Sequence, residues 1–381
     1  MLLPSGSKPP KFLANRVINV VSVRIAHVAP VIHPVPPQTY GGTERVIADL
    51  ADAQVAQGHD VTVFCPADSA LDGLTKVGDY HSLSWHERHA SNVPAGLPAV
   101  LEAQLLRDLL EHGGDHDVLH LHGSAHASAI AGKLGLPVFR TIHWRADELD
   151  HHEHFRAFPD ERIIAISHSQ AKSVPSASLA GVAHHGMPSS RYRLGDGRGG
   201  YLAFLGRMTD QKRPDRAIEL ARSSGRVLKL AGPIDPGNPA YFETVVKPKL
   251  DDATYHVGNV NDEQKQDLLG NAAALIFPID WPEPFGLVMI EAMACGTPVI
   301  AWREGSVAEV VEDGLTGIVV GSLKEATERL DEVFTLDRQR IRDRFEERFS
   351  SARMAREILD IYRAALPSRS SKESSARSPS P

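Results

Sequence analysis

From residue 24 onwards, the chain alternates between short runs rich in β-branched residues and longer segments in which apolar residues recur at helical spacing. Glycine or proline turns separate these two kinds of segment. Such alternation is typical of βα units, which assemble into parallel sheets covered by helices. We therefore predict an α/β fold. The predicted strands lie at residues 24–28, 61–64, 118–121, 138–141 and 163–166 and, in a second series, at 201–205, 227–230, 256–257, 275–277, 299–302 and 318–320.

The two strand series indicate two domains, because 381 residues exceed the usual size of one compact domain. A polar, glycine-rich stretch at residues 194–200 separates the two series and is predicted to be an interdomain hinge. The predicted segments are, in chain order, a disordered extension (1–23), an N-terminal Rossmann-like domain (24–193), a C-terminal Rossmann-like domain (194–350), a helix packing back on the first domain (351–366) and a disordered tail (367–381).

The composition excludes several classes of protein. A formal net charge of -7 argues against sequence-independent binding of nucleic acid, which needs many cations to displace counterions from phosphate. No run of about 18 apolar residues is present, so no transmembrane segment is predicted, while peripheral contact with a membrane is left open. Cys65 and Cys295 have apolar neighbours, and we predict two buried thiols in a reducing, cytoplasmic environment.

The stretch PEPFGLVMIEAMACGTPVIA, residues 282–301, combines a loop, a helix start and two acids. Glu283 lies in the loop that ends at Gly286, and Glu291 lies on the helix that follows. The free amides of a helix start suit an anionic diphosphate, and ligands of parallel sheets bind at the carboxyl ends of strands. The two carboxylates can accept hydrogen bonds from sugar and ribose hydroxyls. The alternative is a surface helix with incidental acids.

A pair of cations follows the first strand of the second series. Gly206, Arg207 and Lys212 come directly after the strand at residues 201–205. Fixed arginine and lysine charges at the carboxyl end of a strand can stabilise negative charge on phosphate oxygens without a metal ion. On its own, this pattern also fits an exposed pair on a loop.

The N-terminal half contributes a glycine pair and a histidine strand. Tyr40, Gly41 and Gly42 lie between the first strand and the first helix, where glycine lets the backbone approach a ligand closely, although a mere tight turn is an open alternative. In the strand at 118–121, alternation places His120 and His122 on the same face. Both could equally be strand histidines with satisfied hydrogen bonds.

Together these motifs resemble the family 4 retaining glycosyltransferases, which have the two-domain GT-B architecture. The hallmark of that family is two glutamates separated by seven residues and followed by Ala-Met-Ala-x-Gly-x-Pro-Val, and residues 283–299 match it throughout. The resemblance implies that the C-terminal domain binds the donor and the N-terminal domain the acceptor, across a cleft. One departure concerns residues 184–186 (HHG), where the family usually has an Asn-Gly pair, and it makes the interdomain contact less predictable.

The resemblance also implies roles for individual residues. Glu283 is expected to contact the donor sugar and Glu291 the ribose, while His122 would position the donor sugar and respond to the transition state without acting as a nucleophile. The expected catalytic residues are His122, Arg207, Lys212 and Glu283. The expected donor-binding residues are Gly41, Gly42, Gly206, Arg207, Lys212, Glu283, Phe285, Gly286, Leu287 and Glu291, and the expected acceptor-binding residues are Tyr40 and His143.

By the same resemblance, the expected reaction moves a hexose-type sugar from a UDP- or GDP-linked donor to a hydroxyl acceptor with retention of configuration. The acceptor would be a glycan, a lipid-linked molecule or a small molecule, in polysaccharide, glycolipid or small-glycoside synthesis, and the enzyme a monomer or homodimer. No cofactor is expected, since the nucleotide sugar is a co-substrate. Two alternatives are a nucleotide-sugar epimerase of the same fold and a non-catalytic nucleotide-sugar-binding protein.

The 19 histidines raise the question of a metal site. Residues 151–154 (HHEH) and the pair His120 and His122 lack a partner motif with metal-ligand spacing, and 151–154 is predicted to be a solvated loop. Residues 115–117 (DHD) match the Asp-x-Asp pattern of metal-dependent glycosyltransferases of another architecture, but they precede a strand instead of ending one. We therefore predict no bound metal.

Overall fold

The computed structural model describes residues 22–37, 41–123 and 125–366. The described strands form two sheets, and within each sheet the strands pair in parallel. This confirms the prediction of two parallel-sheet α/β domains. The predicted disordered segments 1–23 and 367–381 lie outside the described residues, apart from residues 22 and 23.

A seven-stranded sheet forms the first domain. Its strands are β1 (Arg24–Val28), β2 (Asp60–Phe64), β3 (Thr75–Val77), β4 (Val118–Leu121), β5 (Val138–Thr141), β6 (Arg162–Ala165) and β7 (Leu179–Val182). Their order across the sheet is β3-β2-β1-β4-β5-β6-β7. The sequence did not predict β3 and β7, because these short edge strands leave their side chains at least partly exposed and lack a buried apolar run.

A six-stranded sheet forms the second domain. Its strands are β8 (Tyr201–Leu205), β9 (Val227–Ala231), β10 (Thr254–Gly258), β11 (Ala274–Phe277), β12 (Val299–Trp302) and β13 (Gly317–Val320). Their order is β10-β9-β8-β11-β12-β13. All residues of β11, β12 and β13 are buried, as expected for strands covered by helices on both faces, and this explains why these strands read as continuous apolar runs.

Helices cover both sheets. Those of the first half are α1 (Gly42–Ala56), α2 (Leu83–His89), α3 (Leu97–His112), α4 (His126–Ala131), α5 (Leu149–Ala157) and α6 (His168–Ala171). Those of the second half are α7 (Pro214–Ser223), α8 (Pro239–Tyr241), α9 (Asp262–Asn271), α10 (Leu287–Ala294), α11 (Val307–Val310), α12 (Leu323–Val333), α13 (Arg338–Phe349) and α14 (Ser351–Ala365). None of the described helices combines the length and apolar character needed to cross a membrane.

The last helix, α14, packs in the first domain although it follows the second in sequence. Its buried residues Met354, Ile358 and Leu359 lie in one apolar cluster with Ile47 and Leu50 of α1. Apolar residues recur at spacings of three and four along α14, so one face is apolar and the other faces solvent. Burial of that face joins the end of the chain to the first domain.

The chain crosses between the domains twice, at Met187 and at Ser350, and the two crossings lie side by side. The Met187 N–H donates to the Phe349 carbonyl at 2.9 Å, and the Ser351 N–H donates to the Met187 carbonyl at 2.9 Å. The contact is so close that a Cβ on Gly186 would lie 2.5 Å from the Ser350 carbonyl oxygen. Only glycine fits at residue 186 without displacing the second crossing.

The glycine-rich stretch 194–200, predicted to be a hinge, is bonded to the second domain along its length. The Gly195 N–H donates to the Cys295 carbonyl at 3.0 Å, and the Gly197 N–H donates to the Gly270 carbonyl at 3.0 Å. The Arg338 guanidinium also donates to the Gly195 carbonyl, at 2.9 Å. Here the glycines serve close packing, and the connection between the domains lies upstream of them.

The prediction of a solvated loop at residues 151–154 is wrong, because these residues lie in α5. His154 is 8% exposed, and its Nε2 lies 2.5 Å from a carboxylate oxygen of Glu161. Glu161 also accepts from the Arg140 Nε at 2.9 Å. These buried contacts among Arg140, Glu161 and His154 hold α5 against the sheet. The polar sequence of residues 151–154 gives no indication of them.

The prediction that both cysteine thiols are buried is confirmed. Cys65 and Cys295 are both free and buried. Burial raises the pKa of the Cys65 thiol to about 11 and that of Cys295 to about 12, so both remain protonated and poorly nucleophilic at neutral pH.

We expect Leu359→Ala to lower the free energy of unfolding by about 2–5 kcal/mol, because the 1% exposed Leu359 side chain fills the interface of α14 with the first domain. Arg356→Ala, on the exposed face of the same helix, is the matched control and should change stability by less than about 0.5 kcal/mol. Urea unfolding of the full chain measures both. Equal effects of the two substitutions would show that α14 does not depend on this packing.

Candidate active site

The carboxyl ends of the two sheets face each other across a narrow cleft. Trp144 follows β5 and Trp281 follows β11, and their ring centroids lie 5.0 Å apart. A Cβ on Gly42, at the start of α1, would lie 3.3 Å from the Leu287 Cδ1 at the start of α10. Ligands of open parallel sheets bind at this edge, which makes the cleft the candidate site.

Glu283 lies in the loop between β11 and α10 and is 8% exposed. Its carboxylate pairs with the Lys212 ammonium, and the Trp281 Nε1–H donates to it at 2.8 Å. The backbone of the loop is held as well, since the Ser306 N–H donates to the Glu283 carbonyl at 3.0 Å. A Cβ on Gly305 would lie 2.3 Å from that carbonyl oxygen. The structure therefore brings two predicted site residues, Glu283 and Lys212, into direct contact.

Arg207 lies beside this pair with its guanidinium weakly engaged. Its nearest carboxylate oxygen, on Asp235, is 3.8 Å away, and the Trp144 ring centroid is 5.8 Å away. Its Nε is buried and has no hydrogen-bond partner among the described residues. Gly206 brings Arg207 to the cleft at the end of β8, where a Cβ on Gly232 would lie 2.1 Å from the Gly206 carbonyl oxygen. A cation held this way has donors left for an anionic ligand.

Glu291 lies on α10 and is 6% exposed. The Lys265 ammonium donates to its carboxylate at 2.8 Å. Gly286 begins α10 with a φ of 81°, in the left-handed region that favours glycine, and the preceding Phe285 ring is 2% exposed. The sequence placed Glu291 and Gly286 correctly relative to the helix, but it did not predict Lys265.

The glycine pair begins α1 opposite Leu287. Gly41 has a φ of 152°, and a Cβ there would lie 2.8 Å from the Pro37 Cβ. Gly42 is the residue that approaches Leu287 across the cleft. The pair is thus more than a turn, because it permits the close approach of the two domains. Tyr40, the predicted acceptor residue beside it, lies outside the described residues.

His122, at the carboxyl end of β4, is hydrogen-bonded on both ring nitrogens. Its Nε2 lies 2.9 Å from the His27 Nδ1, and its Nδ1 lies 3.0 Å from the His143 Nε2. The structure therefore joins His122 and His143, which were predicted separately. Sequence reasoning missed His27, which lies on β1, the strand next to β4, in register with His120. The alternation of residues along the strand was the signal that could have revealed it.

His120 is bonded to the first domain only. The Tyr362 hydroxyl of α14 lies 2.6 Å from its Nδ1, and the Thr141 hydroxyl lies 2.8 Å from its Nε2. Both nitrogens thus have protein partners, which corresponds to the alternative of a satisfied strand histidine. Through the hydrogen bond of Tyr362 to His120, α14 contacts the candidate site.

Burial makes the histidines of this site neutral. It lowers the pKa of His27 to about 4 and of His143 to about 3, and it lowers the pKa of His122 well below its usual value. The charged form of an imidazole loses its hydration when it is buried, and no carboxylate bonds to these rings among the described residues. At neutral pH each ring therefore has one N–H donor and one lone pair.

Two groups of described side chains have the residue types of a metal site. The nitrogens of His27, His120 and His122 lie within 4.8 Å of one another, as do ligand atoms of His168, His184 and Glu309. In the first group His27 and His122 already hydrogen-bond each other, and in the second His184 bonds to Glu309 at 3.0 Å. Hydrogen bonds within the protein explain why the side chains of each group lie close together. That the enzyme requires no metal ion stays a prediction.

The departure from the family pattern at residues 184–186 lies between the domains. The His185 ring stacks on His143 with centroids 5.1 Å apart and contacts the Phe285 ring edge-on at 5.2 Å. The Arg353 guanidinium donates to the carbonyls of His184 and His185 at 2.8 and 2.9 Å. The imidazole that replaces the usual residue thus connects the first-domain histidines to the donor-motif loop.

Glu44, in the first turn of α1, was not predicted. It is 4% exposed and pairs with no cation among the described residues. Burial raises the pKa of its carboxyl to about 7. Sequence reasoning passed over it because an acid in the first turn of a helix normally interacts with the helix dipole at the surface.

The Glu44 carboxyl should lower stability as pH rises from about 4.5 to 7. In this range the folded state retains a proton that the unfolded chain has lost, so the free energy of unfolding falls with pH, by roughly 2–3 kcal/mol in total. Glu44→Gln should remove this decrease. Unfolding titrations across the range measure it, with Glu263→Gln, an exposed acid in the first turn of α9, as the control. Parallel curves for wild type and Glu44→Gln would contradict the assignment.

Comparison with known proteins agrees with this geometry. Residues 194–349 match the family of glycosyl transferases group 1, and residues 40–194 match glycosyltransferase family 4. The glycogen synthase of Mycobacterium tuberculosis (strain ATCC 25618 / H37Rv) is 26% identical over 330 residues, covering 74% of this chain and 79% of that protein. The D-inositol 3-phosphate glycosyltransferase of Kribbella flavida is 25% identical over 381 residues, covering 82% and 86%.

The fold is similar to that of solved glycosyltransferases. The crystal structure of Anabaena HepE in complex with UDP and glucose superposes with a TM-score of 0.66 at 16% identity, covering 89% of this chain and 98% of that chain. At this identity the likeness concerns the fold, whose two facing parallel-sheet domains are those of the GT-B architecture. The two family matches together run from residue 40 to residue 349, and the chain therefore belongs to the group 1 glycosyl transferases of glycosyltransferase family 4.

Proposed function

We propose that this glycosyltransferase moves a hexose-type sugar from a UDP- or GDP-linked donor to a hydroxyl acceptor with retention of anomeric configuration. The observation that carries the proposal is the arrangement of Arg207, Lys212 and Glu283 after the carboxyl ends of the neighbouring strands β8 and β11, where Lys212 pairs with Glu283 and the buried Arg207 Nε has no partner among the described residues. The set matches what a nucleotide sugar offers, a diphosphate beside hydroxyl groups.

The two cations would bind the diphosphate. When the bond from the sugar to phosphate breaks, the leaving oxygen gains negative charge, and cations fixed in a buried cleft stabilise it more than water does. Lys212 would then exchange part of its contact with Glu283 for the phosphate, releasing the carboxylate to accept from a sugar hydroxyl. Because two protein cations supply the positive charge that stabilises the leaving phosphate, the proposed reaction requires no metal ion.

The second domain would provide most of the donor site. Glu291 would accept from the ribose hydroxyls in competition with Lys265, and the backbone of residues 285–287 would approach the sugar and phosphates. Gly41 and Gly42 would complete this site from the first domain, because they allow a ligand to lie close to the start of α1. Both ring nitrogens of His122 bond to neighbouring histidines, so His122 would position the donor sugar by packing against it and not by a hydrogen bond.

Names of related proteins support a nucleotide-sugar donor and leave the acceptor open. HepE was solved with UDP and glucose. The relatives already described are named for glycogen and for D-inositol 3-phosphate, which are a polymer and a small polyol derivative. We therefore propose a role in polysaccharide, glycolipid or small-glycoside synthesis, without assigning a particular acceptor.

The proposed mechanism is a substitution on one face of the sugar. The anomeric carbon breaks its bond to the phosphate oxygen and forms a bond to the acceptor oxygen on the same face, while the leaving phosphate takes the acceptor proton. The support is indirect, because the described first-domain side chains that meet at the ends of β1, β4 and β5 are neutral imidazoles and include no carboxylate, the usual nucleophile of a double displacement at a sugar.

The donor site can be tested with a panel of UDP-, GDP-, ADP- and TDP-sugars. We expect one of them to raise the thermal unfolding midpoint and to be hydrolysed slowly without acceptor. Arg207→Ala, Lys212→Ala and Glu283→Gln should each reduce turnover by about 100-fold or more. Lys324→Ala, with an 84% exposed side chain, is the control. Near-normal turnover in all three site variants would overturn the assignment.

Stereochemistry and metal dependence give an independent prediction. The anomeric configuration of the product, read by NMR from the coupling at the transferred carbon, should equal that of the donor. Addition of excess EDTA should leave the rate unchanged, because Arg207 and Lys212 supply the positive charge. An inverted product would exclude the same-face mechanism, and a loss of rate restored by a divalent cation would exclude charge stabilisation by protein alone.

A further inference from the structure

A continuous row of hydrogen bonds runs from α1 to the cleft through three imidazole rings. The Gln54 Oε1 lies 2.7 Å from the His27 Nε2, and the His27 Nδ1 lies 2.9 Å from the His122 Nε2. The His122 Nδ1 lies 3.0 Å from the His143 Nε2. Gln54, His27 and His122 are buried, whereas His143 is half-buried. We call Gln54, His27, His122 and His143 the histidine row.

The hydrogen bonds of this row must all point the same way. A neutral imidazole has one N–H and one lone pair, so a ring that donates at one nitrogen accepts at the other. The Gln54 amide presents its Oε1 to His27, while its Nε2 is buried without a hydrogen-bond partner among the described residues. In this orientation the oxygen can only accept, which places the proton of His27 on Nε2 and its lone pair on Nδ1. The proton of His122 then lies on Nε2, and that of His143 on Nε2. The orientation of one amide therefore sets the tautomer of three rings.

The cleft end of the row is the His143 Nδ1, which this polarity leaves as a lone pair. That nitrogen makes no hydrogen bond with any described residue. The His143 ring stacks on His185, which in turn contacts Phe285 of the donor-motif loop, so the lone pair lies close to the proposed reacting centre. A lone pair at this position accepts from an uncharged hydroxyl and repels a carboxylate or phosphate oxygen.

The neighbouring histidine does not interrupt the row. The His120 ring centroid is 4.0 Å from that of His122, but its own nitrogens bond to Tyr362 and Thr141. His120 therefore packs against the row without exchanging hydrogen bonds with it. The polarity of the row is therefore set at its Gln54 end.

We propose that Gln54 is a positioning residue that acts through His27 and His122 to fix His143 with an unprotonated Nδ1, and that this nitrogen accepts a hydrogen bond from the acceptor hydroxyl as the acceptor binds, before the leaving phosphate takes that proton. The second part rests on the proposed function, and the first does not. The proposal narrows the acceptor to a molecule whose attacking end is an uncharged hydroxyl without an adjoining anionic group.

The tautomers can be read directly from ¹⁵N chemical shifts of the histidine rings in the full chain, because protonated and unprotonated ring nitrogens resonate in separate ranges. We expect the wild-type protein to show His143 protonated on Nε2, with assignment by His143→Gln. If His143 of the wild-type protein is instead protonated on Nδ1, the proposal is overturned, even though the hydrogen bonds of the row still form.

Gln54→Leu should reverse the row. Without an acceptor at Gln54, a buried His27 N–H at Nε2 would have no partner, so the ring would keep its lone pair there and donate from Nδ1, and His143 would become protonated on Nδ1. Gln54→Glu retains an acceptor oxygen and should keep the wild-type tautomers at a pH where the ¹⁵N shifts of His27 show one protonated nitrogen, because an imidazole protonated on both nitrogens donates at each of them. A merely structural role for Gln54 would not move the proton of a ring three hydrogen bonds away, and an unchanged His143 in folded Gln54→Leu would refute the proposal.

Kinetics separate this proposal from the proposed function. In Gln54→Leu the KM for the acceptor should rise about tenfold, from the loss of one hydrogen bond, while slow hydrolysis of the donor without acceptor stays unchanged. Gln54→Glu should restore the acceptor KM. Absence of donor hydrolysis in the wild type would count against the proposed function and leave the tautomer result standing, whereas normal acceptor KM with reversed tautomers would refute the role of His143.

Discussion

Parallel pairing within both sheets is the constraint on which the rest of the structure depends. Because all strands of a parallel sheet end at the same edge, each loop that leaves this edge lies beside the others. Glu283 and Lys212 are 71 positions apart in the chain and nevertheless form an ion pair. The histidines of β1, β4 and the end of β5 meet for the same reason. The chemistry of the cleft is thus a consequence of strand direction.

The sequence predicted this part of the structure well, because its signals are local. Strand runs, turn glycines and the spacing between Glu283 and Glu291 are each contained within about 20 residues, and the structure confirms the fold they indicate. The edge strands β3 and β7 were missed because they bury little and so carry no apolar pattern. The roles of the site residues stay predictions.

What the sequence could not provide depends on pairing between distant elements. The tautomer of His143 depends on Gln54, which lies in a helix and reaches the site only through the register of β1 with β4. The burial of His154 depends on Arg140 and Glu161. Glu44 resembles an ordinary acid at a helix start until the packing shows that solvent is excluded from it. Each case requires a neighbour that no local pattern identifies.

The paired crossings at Met187 and Ser350 have a mechanical consequence. A rigid body attached to another at one location can turn about that location, but it cannot slide away from it while the two backbones remain hydrogen-bonded. The displacement of any atom during such a turn grows with its distance from the attachment. The outer rim of the cleft can therefore widen for entry of a bulky molecule, while groups next to the attachment, such as His185 and Phe285, keep nearly the same separation.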